Sequence, residues 1–154
     1  MPNCSNCGAP MRAGDGASLV CDHCGSLGEP ALVPYDLETI GESAVACPHC
    51  QTKLTDARVE GCPVRYCASC HGLLVEMRHF VTLCDAVRAR EAGSGVALPL
   101  RQRPGERVLT CPICGQPMLD HLFGGPGNLV LDTCERCQVN WLDPGELRRI
   151  ARAP

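Results

Sequence analysis

The residues best placed to do chemistry in this chain are its cysteines, because twelve of the fourteen fall in C-x-x-C pairs. The pairs are Cys4/Cys7, Cys21/Cys24, Cys47/Cys50, Cys67/Cys70, Cys111/Cys114 and Cys134/Cys137. One such pair places two sulfurs on a single tight turn. Two turns facing each other supply four thiolates in a tetrahedron, about 2.3 Å from a metal ion. Taken in order, the pairs close three loops of 13, 16 and 19 residues, separated by longer stretches of 22 and 40. Pairing neighbours is the economical reading, since each unit then closes one loop. The zinc signature has roughly 15–20 residues between its pairs. Units two and three meet it and unit one is slightly short. The spacing predicts three structural Zn²⁺ ions with four sulfurs each. A single iron in a rubredoxin-like site is the competing reading.

Composition favours metal staples over one large core. Only two Phe, two Tyr and one Trp stand against 16 Gly and 13 Pro, and small units with few aromatics bury little apolar surface. The residues before Cys4 carry no charged and apolar export pattern, so the expected setting is cytoplasmic, where paired cysteines read as metal ligands and not disulfides. No apolar run approaches the roughly 18–20 residues that span a bilayer, so no membrane partner is expected. Gly8, Gly25 and Gly115 directly follow the second Cys of a pair, where a knuckle turns sharply with φ > 0. Pro48 and Pro112 restrict the entry to units two and three. Cys62 and Cys84 are left over. Cys84 reads as a small hydrophobe on a helix face, and Cys62 lies in the unit-two hairpin beside an already complete ligand set. His23, His49 and His71 sit beside ligand cysteines but point away from the metal, and His79 and His121 have no evident metal partner.

These sites need hairpins to carry them. Units two and three are repeats: aligning Cys70 with Cys137 places Val75 on Leu142, Glu76 on Asp143, Phe80 on Leu147 and Leu83 on Ile150. After unit three, Asp143 reads as an N-cap, Pro144 as the first helical residue and Glu146 as the return half of a capping box, with Leu142 stapled to Leu147. This helix is expected to cover the ribbon beside Trp141. After unit two, a helix is expected from about Met77 to Arg90, with Phe80, Leu83, Cys84 and Val87 on its apolar face. Glu76 takes the cap position there. Residues 31–46 read as extended chain followed by one helical turn. The fold class is therefore a small zinc-stabilised α+β protein of three tandem zinc β-ribbons, the second and third each followed by a helix. The expected division is ribbon one at 1–28, a linker at 29–45, ribbon two plus helix at 46–91, a linker at 92–107, and ribbon three plus helix at 108–154.

From Cys111-Pro112-Ile113-Cys114 to Cys134 and Cys137, and on through Trp141-Leu142-Asp143, Gly145-Glu146-Leu147, the sequence resembles the transcription factor IIB-type zinc ribbon of bacterial proteins. The resemblance is specific over 111–150, looser over 47–84, where the Trp and the G-E-L are missing, and generic over 4–24. It implies a zinc-bound β-ribbon fold and no defined biochemical activity.

Four cysteines close a zinc ion's coordination, whereas a catalytic zinc keeps a position open, so no enzyme is expected. No Ser-His-Asp order, phosphate loop or H-E-x-x-H is visible, and no small-molecule substrate is evident. Formal charge is −3, and twelve thiolates with three divalent ions add −6, giving about −9. That balance disfavours a polyanion partner. The basic residues Arg101, Arg103, Arg107, Arg148, Arg149 and Arg152 leave weak, salt-sensitive nucleic-acid binding as the alternative. The favoured reading is a non-catalytic protein-interaction scaffold or adaptor, with Leu73-Leu74-Val75 and Trp141-Leu142 as contact candidates.

Overall fold

The computed structural model describes residues 3–4, 6–13, 19–28, 36–91, 108–123 and 129–153. Around the first cysteine unit, β1 (Met11–Ala13), β2 (Leu19–Cys21) and β3 (Leu27–Gly28) form an antiparallel sheet in the order β1-β2-β3. Among the described residues its apolar core is Cys4, Met11 and Cys21, flanked by Ala9 and Leu19.

Units two and three are not discrete ribbons, which corrects the expectation of three separate ones. Their strands are β4 (Glu38–Ala46), β5 (Lys53–Val59), β6 (Cys62–Tyr66), β7 (Leu73–Glu76), β8 (Leu119–Phe123), β9 (Leu129–Cys134) and β10 (Val139–Leu142). They build one antiparallel sheet in the order β4-β5-β6-β7-β10-β9-β8. The junction is β7 on β10, with Leu73 opposite Leu142, Leu74 opposite Trp141, Val75 opposite Asn140 and Glu76 opposite Val139. In the repeat alignment Leu74 is the counterpart of Trp141, so the central pair joins equivalent positions. The two repeats thus meet as an isologous pair does, about a local two-fold axis. The cause lies in the side chains. Leu73, Leu74, Val75, Val139, Trp141 and Leu142 are all buried, so both faces of β7 and β10 are apolar and must be covered. A lone hairpin is marginal in water, and joining the two supplies a shared core. It also withdraws Leu73-Leu74-Val75 and Trp141-Leu142 from the surface, so they are not contact segments.

Local signals account for several elements. Glu60 and Gly61 both have positive φ (49° and 77°) and close the two-residue turn between β5 and β6, as type I′ hairpins require. Residues 38–46 form β4 and not a helical turn, residues 31–35 lie outside the described residues, and the register against β5 shifts twice along this edge strand. Helix α1 (Met77–Glu91) follows β7 and buries Phe80, Leu83, Cys84 and Val87, as its periodicity predicts. Burying each large apolar side chain contributes about 1.5–3 kcal/mol.

Helix α2 (Glu146–Arg152) starts later than its sequence suggests. Gly145 is its N-cap, at φ 85°, with no side-chain cap. The Glu146 carboxylate does accept the Asp143 backbone N–H at 2.8 Å, so the return half of the capping box forms. The Asp143 carboxylate is engaged elsewhere, accepting the Trp141 indole N–H at 3.2 Å.

The two helices pack on each other over one face of the sheet. The core beneath them contains Val64, Leu73, Val75, Leu129, Leu131, Leu142, Leu147 and Ile150, together with Cys62, Cys84 and Ala151. Leu142 and Leu147 share this core, but with Gly145 as the N-cap they do not hold the staple positions. Further contacts tie the repeats together. Arg88 donates to the carbonyls of Ile150 (2.9 Å) and Ala153 (3.0 Å), and the Met77 N–H donates to the Gln138 carbonyl at 2.8 Å. Phe80 meets Phe123 edge-on, with ring centroids 5.3 Å apart. Trp141 belongs to the opposite face, so α2 does not cover it.

Candidate metal centres

Five of the C-x-x-C pairs form a knuckle closed by a backbone hydrogen bond. The N–H groups of Gly8, Gly25, Gln51, His71 and Gly115 donate to the carbonyls of Cys4, Cys21, Cys47, Cys67 and Cys111 at 2.8, 2.8, 2.9, 2.7 and 2.9 Å. The chain can close this way because the residue after the second cysteine is left-handed in all six knuckles: Gly8, Gly25, Gln51, His71, Gly115 and Gln138 have φ between 56° and 78°. Three are glycine, for which this conformation is cheap. The other three use their side chains to hold the turn. Gln51 donates to the Pro48 carbonyl, Gln138 to the Glu135 carbonyl, and the His71 ring meets the Tyr66 hydroxyl through Nδ1.

The knuckles bring the cysteines together in three groups: Cys4, Cys7, Cys21 and Cys24; Cys47, Cys50, Cys67 and Cys70; Cys111, Cys114, Cys134 and Cys137. Within each group the sulfurs all lie within 4.8 Å of one another. Individual separations are 3.6 Å for Cys4–Cys24, 3.5 Å for Cys7–Cys21, 3.9 Å for Cys47–Cys70 and 3.7 Å for Cys114–Cys134. Four thiolates at zinc's usual bond length occupy a tetrahedron with edges of about 3.8 Å, so each group has the size of a tetrathiolate metal site. Each cluster is thus able to hold a metal ion. Backbone N–H groups already point at sulfur, from Asn6 to Cys4 (3.4 Å), His49 to Cys47 (3.4 Å) and Cys70 to Cys67 (3.5 Å). Such donors favour the thiolate. The Asn6 N–H lowers the Cys4 thiol, the Ser26 hydroxyl and N–H bring Cys24 down to about 5, and the Gln116 N–H brings Cys114 down to about 7, whereas burial outweighs the donors at Cys47 and pushes it up to about 11.

The second and third clusters share one apolar layer on the face away from the helices. It contains Cys47, Cys67, Cys111 and Cys134 with Leu54, Leu74, Leu109, Met118, Val139 and Trp141. Trp141 belongs to repeat three but lies against Gly72, just past the unit-two knuckle. A Cβ on Gly72 would stand 2.2 Å from the indole. Sequence reasoning missed this contact. The available signal was the run of consecutive apolar residues in β7 and β10, which marks strands covered on both faces.

Cys62 and Cys84 are outside the clusters and buried in the helix-side core, where burial pushes Cys84 up to about 12 and raises Cys62. Among the described residues no histidine joins a cluster. Arg101, Arg103 and Arg107, and the side chain of Arg152, lie outside the described residues, while Arg148 and Arg149 are half-buried on α2 and engaged with partners. No helix among the described residues is long and apolar enough to cross a membrane.

Hairpin knuckles carrying four-cysteine clusters are zinc-ribbon-like in the general sense. Compared with known proteins, the chain matches no family model, no curated protein and no solved structure. The likeness to transcription factor IIB-type ribbons therefore rests on the residues that carry it and on no specific relative.

Proposed function

We propose that this chain is a zinc-binding, non-catalytic protein whose three structural Zn²⁺ ions hold a rigid protein-interaction scaffold. The carrying observation is that all twelve paired sulfurs fall into three groups of tetrathiolate size. An all-sulfur tetrahedral donor set suits zinc and leaves no open position for a substrate. When bound, each ion contributes roughly 10–16 kcal/mol of apparent free energy, enough to fix units with small cores. The ribbon at 111–150 is assigned to the transcription factor IIB-type on its W-L-D-x-G-E-L tail.

The scaffold reading is supported by the fused sheet and its edges. β8 presents Leu119 and Leu122 at 62% and 59% exposure, and sheet edges of this kind accept an extended segment of a protein partner. Acidic net charge and the engaged state of Arg148 and Arg149 weigh against nucleic acid. The test is a salt titration of DNA and RNA binding on zinc-loaded protein, beside crosslinking in the native host. Expected are weak nucleic-acid binding that vanishes near physiological salt, and a protein crosslink that Leu119→Asp/Leu122→Asp abolishes. Tight, sequence-dependent binding that survives salt would refute the scaffold reading.

A further inference from the structure

We propose that the metal sites divide in function: the first exchanges its ion with external ligands, while the second and third retain theirs and respond as one unit. This rests on the zinc reading above. Access differs first. Cys7 and Cys24 of site one are exposed, whereas no cysteine of sites two and three is. Ligand exchange requires access, because an incoming donor must bond to zinc as a cysteine sulfur leaves and takes a proton from water. Zn²⁺ then passes to the acceptor, four thiolates take up four protons, and no electrons move. The fitting acceptor is a soluble molecule with soft or chelating donors, thiolates above all.

Packing differs as well. Among the described residues, site one is held by strands of three, three and two residues around Cys4, Met11 and Cys21. Elements with so few buried contacts open at low free energy. Sites two and three share the layer containing Leu74 and Trp141, are joined by the β7–β10 ladder, and are braced by Arg88 on the end of α2. A knuckle that loses its ion in one repeat removes packing from the other. The three sites are therefore not equivalent copies of one staple, although their ligand sets are.

The experiment follows zinc loss from the full chain into excess ethylenediaminetetraacetate, with ions counted by native mass spectrometry. A two-zinc species should accumulate, its formation at least about tenfold faster than the next loss. It should then decay to the zinc-free chain without a one-zinc species building up. Cys7→Ser/Cys24→Ser should start with two ions and lack the fast phase. Gly72→Ala, which strains the shared layer, should speed the slow phase and leave the fast one unchanged. Loss of all three ions at one rate overturns the division of function alone, and a persistent one-zinc species overturns the coupling. Fewer than three ions in the fully loaded wild-type chain overturns the zinc reading itself, and the inference with it.

Discussion

Gly72→Ala is the smallest change that interrogates how the two repeats are joined. Gly72 has no unusual φ, so alanine adds no backbone strain there and the whole effect is steric. The new methyl would lie 2.2 and 2.6 Å from two indole carbons of Trp141, about an ångström inside normal contact. The indole cannot swing aside, since it is fully buried and its N–H is held by Asp143 at 3.2 Å. Relief requires moving β7 against β10. Overpacking of a tight core typically costs 1–3 kcal/mol, and this site belongs near the top, about 3 kcal/mol. That corresponds to about a hundredfold change in the unfolding equilibrium. The assay is urea unfolding at fixed free zinc, followed by the chain's single tryptophan and by far-ultraviolet circular dichroism. Gly72→Ala/Trp141→Phe should recover part of the loss, because the smaller ring leaves room. A change within about 0.5 kcal/mol, the range of neutral surface substitutions, would refute the β7–β10 packing.

Other perturbations separate the roles of neighbouring residues. Cys67→Ser should lose the site-two ion by elemental analysis, while Cys84→Ala keeps all three ions and costs about 0.5–1.5 kcal/mol as a small core truncation. Burial raises Cys84 to about 12, so the unfolded chain releases this proton first and stability falls as pH rises above about 9; unfolding measured against pH should flatten in Cys84→Ala. Gly8→Ala, where the added methyl meets nothing but φ is 78°, should cost about 1–2 kcal/mol of backbone strain in ribbon one, read by calorimetry. Gln138→Gly, at φ 56°, should be near neutral by the same measurement, because glycine's ease at positive φ offsets the lost bond to the Glu135 carbonyl. Asp143→Ala leaves the buried indole N–H unpaired and should cost about 1–3 kcal/mol in urea unfolding, with Asp143→Asn retaining most of the bond.

The parts legible in the sequence were those with local signals. Cysteine spacing grouped the sulfurs, glycine after a second cysteine marked three of the six left-handed knuckle turns, and a 3.6-residue period found α1 and its four buried residues. The left-handed Gln51, His71 and Gln138 carried no such mark, because their turns are stabilised by side-chain bonds that only the folded hairpin assembles. At α2 the capping-box pattern was real but half used: Glu146 reaches the Asp143 N–H, while the buried indole of Trp141 claims the Asp143 carboxylate. The joining of the repeats was hidden for a different reason. Pairing Leu74 with Trp141 is a contact between residues far apart in the chain, and strand pairing has no local code beyond apolar faces that need covering. The continuous apolar run at Leu73–Val75 carried that hint, yet packing against a following helix satisfies the same pattern.

What the three sulfur clusters hold is decided by one measurement on protein purified under reducing conditions. Elemental analysis combined with metal K-edge X-ray absorption should find three zinc ions per chain, each with four sulfurs at about 2.3 Å. Iron as the main metal, two ions or fewer at full loading, or nitrogen or oxygen in the first coordination sphere would contradict the assignment of Cys4, Cys7, Cys21, Cys24, Cys47, Cys50, Cys67, Cys70, Cys111, Cys114, Cys134 and Cys137 as three zinc tetrathiolates.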